Sequence, residues 1–172
     1  MHSTGFLFKA RWTKIWHASL VLLILTSVYA QEPSGACKLL QATELESALG
    51  GKAANLSGHS VGNTEICSGQ VGSLKVLIRI AKRQGDYGGF TARKGVEILR
   101  SKGWQIDVKT EGDLTCSTAI PPASSAQMGF NTTCSILRDG RVVAVEVGAP
   151  SQKEMASMDV VRKLIQKAVT RL

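Results

Sequence analysis

The sequence predicts an α+β domain: an antiparallel sheet of about six strands backed by helices, in the order αββαββββα. Three observations carry that expectation. Two runs rich in β-branched residues flank Asp139-Gly140, short alternating runs broken by glycine recur between residues 61 and 119, and residues 151–172 place apolar side chains at helical spacing.

The first 30 residues read as a secretory signal peptide. Lys9, Arg11 and Lys14 precede the apolar run Ala18–Val28, and Val28-Tyr29-Ala30 suits a signal peptidase, so cleavage is expected after Ala30. The run falls short of the roughly 20 residues that span a bilayer, so no stable transmembrane segment is expected after processing. Nor does Ser34-Gly35-Ala36 before Cys37 make a lipidation motif. The segment carries three positive charges and no acid, so the net charge of +8 falls by three to +5. The mature chain then divides into a polar leader, residues 31–36, and a single domain over 37–172.

All four cysteines, Cys37, Cys67, Cys116 and Cys134, lie beyond the signal peptide, an even number in an oxidising compartment. Two disulfides are expected. Spacing leaves three pairings open, and the order of elements favours Cys37 with Cys67 and Cys116 with Cys134. A zinc site is disfavoured, because no Cys-x-x-Cys pair occurs and His59 is the one histidine after residue 30.

The first helix starts from a capping box, Thr43-Glu-Leu-Glu46, places Leu45, Ala48 and Leu49 on one side, and stops at Gly50-Gly51. Residues 52–60, with His59, read as a loop, and Val61–Cys67 as a first strand. Leu74–Ile80 is the next, with Leu74, Val76, Ile78 and Ile80 on one face and Lys75, Leu77 and Arg79 on the other; Ser68–Ser73 connects the two. A second helix is expected from Gly85-Asp86, capped by Asp86, with Ala92, Val96 and Leu99 on its apolar side and Gly103 ending it. Trp104, Ile106 and Val108 then alternate as a strand that turns at Thr110–Asp113 into another over Leu114–Ala119. Two prolines make Ile120–Gln127 a loop.

The best-specified element is the hairpin of residues 131–149. Asp139-Gly140 tolerates the positive φ angles of a two-residue turn, which sets Arg138 opposite Arg141, Ile136 opposite Val143 and Cys134 opposite Val145. Cys134, Ile136, Val143, Val145 and Val147 then form the core face. After Pro150, a second capping box, Ser151-Gln-Lys-Glu154, leads into a helix to the end, with Met155, Met158, Val161, Leu164, Ile165, Ala168 and Leu172 as its apolar stripe.

Cys37-Lys-Leu-Leu40, Glu44-Leu45, Ala48-Leu-Gly-Gly51 and a cysteine at the end of the first strand resemble small exported bacterial proteins of a domain of unknown function, many of them lipoproteins. The resemblance covers residues 37–80. It implies a Mog1/PsbP-like α+β fold and a binding or accessory role. It carries over no catalytic residue.

No cofactor motif is present. Gly69-Gln-Val-Gly72 and Gly85-Asp-Tyr-Gly-Gly89 lack the Lys-Ser/Thr of a phosphate loop and read as turns. Asn55-Leu-Ser57 and Asn131-Thr-Thr133 are formal glycosylation sequons. The cations are more informative. Lys75, Arg79, Lys82 and Arg83 leave one strand, and Arg93, Lys94, Arg100 and Lys102 lie on the helix after it; the first four are the candidate anion-binding face. Few aromatics are interleaved with them, which argues against nucleic acid. The expectation is a periplasmic or secreted, non-enzymatic binding domain whose partner is an envelope protein or an anionic surface. The alternative is a small secreted hydrolase, whose site would have to be assembled from His59, Asp107 and Glu146.

Overall fold

The computed structural model describes residues 35–82 and 90–172, all within the same structural unit of the chain. The fold is α+β. Helices α1 (Gly35–Lys38) and α2 (Ala42–Leu49) precede strands β1 (Ala53–Val61), β2 (Thr64–Val71) and β3 (Leu74–Lys82). Helix α3 (Phe90–Ser101) leads to β4 (Gln105–Glu111), β5 (Leu114–Ile120), β6 (Phe130–Arg138) and β7 (Arg141–Ala149), and α4 (Met158–Val169) comes last. The strands form one antiparallel seven-stranded sheet in the order β1-β2-β3-β7-β6-β5-β4. Two meanders therefore meet at β3 and β7, and the connection through α3 carries the chain from the middle of the sheet to its far edge.

Seven strands replace the expected six because residues 53–60, read as a loop, are a strand. Gly62 (φ +58°) opens a two-residue turn that pairs Val61 with Thr64, and Gly72 (φ +59°) opens another that pairs Val71 with Leu74. Each turn propagates a ladder into a sequence with little intrinsic strand preference. Ser68–Val71, expected as a connector, is the second half of β2.

Both capping boxes differ from expectation. The backbone N–H of Gln41 donates to the Glu44 carboxylate at 2.8 Å, so α2 starts ahead of Thr43. Glu46 is engaged elsewhere, accepting from the Ala53 N–H at 2.9 Å. The Ser151 hydroxyl donates to Glu154 at 2.7 Å around a single 3-10 turn, Gln152–Glu154, and the chain then extends before α4 begins at Ser157, whose hydroxyl oxygen caps the Val160 N–H. Ala36, just before the first cysteine, is fully buried on α1. The expected cap Asp86 lies outside the described residues.

The hairpin of β6 and β7 has the expected register, with Asp139 (φ +49°) and Gly140 (φ +70°) in the turn. Its inward face continues across the sheet through Cys67, Val71, Val76, Ile78 and Cys116, and it is covered by Leu45 of α2 and by Val161, Leu164, Ile165 and Ala168 of α4. Burying such a side chain stabilises the fold by about 1.5–3 kcal/mol. The one buried polar residue among those described, Thr132, donates its hydroxyl to the Ala156 carbonyl at 2.7 Å. Two disulfides pin this face: Cys37–Cys67 ties α1 to β2, and Cys116–Cys134 joins directly opposed residues of β5 and β6.

Candidate functional site

Helices α1, α2 and α4 pack on the core face and leave the opposite face of the sheet uncovered by any of the three. Strand alternation gives it Ser57 and His59 from β1, Ile66, Ser68 and Gln70 from β2, and Lys75, Leu77 and Arg79 from β3. Strands β7, β6 and β5 add Ala144, Glu146 and Gly148, then Asn131, Thr133 and Ser135, then Thr115 and Ser117. Small and hydroxyl-bearing side chains dominate. Of these residues only Ala144 is buried.

An open groove of about 520 Å³ crosses this face between Asn55 at the β1 edge and Met128, with Ser68, Gln70 and Leu77 on its floor. A smaller hollow of about 320 Å³ continues it past Met128, and the two share Lys75, Met128, Asn131 and Gly148. Gly148 sets the depth. A Cβ there would stand 3.0 Å from Asn131 Oδ1 and 3.6 Å from the Lys75 Cβ, closing the trough between them. Asn131 lies beside Gly148 in the ladder, and Met128, 63 % exposed, ends the 3-10 segment Ala123–Met128 that overhangs the site.

The candidate cations do not form one face. Lys75 and Arg79 share the open face, as their spacing requires. Arg79 Nη2 lies 3.2 Å from Glu146 Oε2, so its charge is already balanced by a neighbour. Lys75 has no ion pair with a described residue, and it lines the groove. Lys82 has the parity of Ile80 and lies opposite Arg141, which places it on the helix-covered side at the end of β3. Arg83 lies outside the described residues. On α3, Arg100 donates to the Ile106 carbonyl at 2.6 Å, and beside it Trp104, Ile106 and Asp107 line a separate open pocket of about 420 Å³.

The residues of the hydrolase alternative do not converge. His59 is on β1 and Glu146 on β7, with β2 and β3 between them, about 14 Å apart at the usual strand spacing, and Asp107 points from β4 to the other face. No group of three or more His, Cys, Asp or Glu among the described residues could hold a metal ion. The one strongly perturbed carboxylate among the described residues is structural. Arg171 and Lys167, at 2.6 and 2.7 Å, together with the Gln41 N–H, hold the Glu44 carboxyl far below the usual carboxylate range. This clasp joins the start of α2 to the end of α4.

Sequence reasoning pointed to Lys75 and missed Gly148, Asn131, Met128 and Gln70. The available signal was Gly148, a glycine inside an otherwise apolar strand, which marks close approach over the backbone. No protein-family model matches the chain, and no curated protein matches it. Its class is therefore set by its own geometry: a disulfide-bonded α+β protein with α1, α2 and α4 packed on one face of its sheet and a groove on the other. No helix among the described residues is long and apolar enough to cross a membrane.

Proposed function

We propose that this chain is an exported, non-enzymatic binding domain that takes an acidic ligand in the groove beside Lys75. The two disulfides fit an oxidising compartment, and the resemblance of residues 37–80 to small exported bacterial proteins points the same way. The observation that carries the reading is the trough itself: Lys75, without an ionic partner among the described residues, lines a groove whose floor is lowered by Gly148 and flanked by Asn131. The lining joins Lys75 and the amide side chains of Gln70 and Asn131 to the apolar Leu77 and Met128, and its one carboxylate, Glu146, is paired with Arg79, so Lys75 is left to meet a carboxylate-bearing segment of an envelope protein or an anionic polymer surface.

Binding to anionic vesicles and to cell-wall preparations, measured by co-sedimentation, tests this. Affinity should fall steeply with salt, since exposed charges are screened over about 10 Å at 0.1 M. Lys75→Glu and Gly148→Leu should each abolish binding, whereas Lys82→Glu, on the other face, should leave it unchanged. Retention of binding by Lys75→Glu, or equal loss with Lys82→Glu, would refute the site.

A further inference from the structure

The two edges of the sheet are treated differently. Strand β4 carries Asp107, Lys109 and Glu111, and its Ile106 carbonyl is occupied by the Arg100 guanidinium at 2.6 Å. Charge and an occupied carbonyl both discourage an added strand. Strand β1 has no Asp, Glu, Lys or Arg along its whole length, Ala53–Val61. Its first half is nevertheless guarded: Glu46 accepts the Ala53 N–H, and the register shifts between Ala54 and Ser57, around Asn55 at φ +56°. Among the described residues, the unguarded edge is therefore Ser57–Val61, ending in Val61, which is 62 % exposed.

The backbone of that stretch is self-complementary. The two-residue turn at Gly62-Asn63 makes Val61 and Thr64 a hydrogen-bonded pair, so alternation directs the bonds of Val61, His59 and Ser57 to β2. The N–H and C=O groups of Gly58 and Ser60 then point away from the sheet, and these two residues are symmetric about His59. We propose that β1 is a homodimer edge: two copies pair antiparallel about a two-fold axis at His59. Gly58 of each copy exchanges both bonds with Ser60 of the other. No Asp, Glu, Lys or Arg of one copy meets its counterpart, because the strand has none. The two-fold runs normal to the sheet, keeps both helix layers on one side and joins the two open faces into one surface. The second copy is favoured over an unrelated strand because the outward-pointing set maps onto itself with every group satisfied.

Five residues of edge bury much less than the roughly 1,200–2,000 Å² of a standard interface, so the dimer is weak, with a Kd on the order of 0.1–1 mM. Sedimentation equilibrium on the purified, oxidised chain from 10 µM to 2 mM (working concentrations chosen about the expected Kd) should show the mass rising from monomer to dimer. Ser60→Pro, which removes an outward N–H at a position where an edge strand tolerates proline, should weaken association at least tenfold. His59→Lys and His59→Glu place like charges opposite each other across the axis and should each be monomeric, while their equimolar mixture should form a heterodimer. A chain monomeric at 2 mM overturns the proposal, and so does a dimer that survives both Ser60→Pro and His59→Lys. If Ser60→Pro fails to fold, judged by its thermal transition, the His59 pair decides alone: absence of a heterodimer in the mixture also overturns it.

Discussion

Ile78 and Leu77 are neighbours in β3, yet they belong to two different chemistries. Ile78 is fully buried under the helices, whereas Leu77 is partly exposed beside Glu146 on the open face. The difference repeats across β5, β6 and β7: one face is an apolar layer with a single buried, hydrogen-bonded threonine, and the other mixes Ser, Thr and Ala with one ion pair and the partly exposed Leu137 and Val142. Stability is concentrated on the first face, which leaves the second free to vary its surface chemistry at little cost to the fold.

The sharpest way to break this comparison is to truncate the two neighbours separately. Ile78→Ala should cost about 3 kcal/mol in denaturant unfolding and Leu77→Ala only about 1 kcal/mol. Equal losses would mean that the open face is covered in solution. Next, Thr132→Val should cost about 1–2 kcal/mol, because the partly buried Ala156 carbonyl loses the hydroxyl of the fully buried Thr132.

The third effect depends on pH. Because the Glu44 carboxyl is held below its ordinary range, its contribution to stability is present above that range and is lost as pH falls through and below it. Thermal melts of Glu44→Gln should therefore fall below those of the parent chain at pH 7, and the gap should close as pH drops below about 4. The smallest effect belongs to the open face. A double-mutant cycle on Arg79→Ala and Glu146→Ala should give a coupling of about 0.5 kcal/mol or less, since the side chains are 41 % and 29 % exposed.

Legibility in the sequence tracked local signals. The β6–β7 register was readable because Asp139-Gly140 fixes the turn and β-branched residues fill both arms. Both disulfide pairings came from element order. Strand β1 was not readable, because Ala-Ala-Asn-Leu-Ser-Gly-His-Ser has weak strand preference and becomes a strand through its partner β2. The start of α4 was misplaced because Ser151 and Glu154 satisfy each other around one short turn without committing the chain to a helix. Lys82 was grouped with Lys75 by proximity in sequence, although an odd spacing puts it on the other face. The groove combines residues from β1, β2, β3, β6 and β7, and such convergence across a sheet leaves no contiguous motif to read.

The two disulfides also differ in how they meet a thiol. Cys116 and Cys134 are both buried and sit opposite each other on paired strands, so an external thiolate has little access, and the ladder would hold the separated sulfurs as neighbours. Cys37 is only partly buried, on a four-residue helix, and its release from Cys67 leaves α1 held by the burial of Ala36, Leu39 and Leu40 and by the Arg171 bond to the Leu39 carbonyl. Mild reductant should therefore open Cys37–Cys67 first, giving a folded intermediate with two alkylatable thiols at those positions in peptide maps. Reoxidation of Cys116 with Cys134 would instead run at the high effective concentration of an intact hairpin, faster than capture by a thiol in solution.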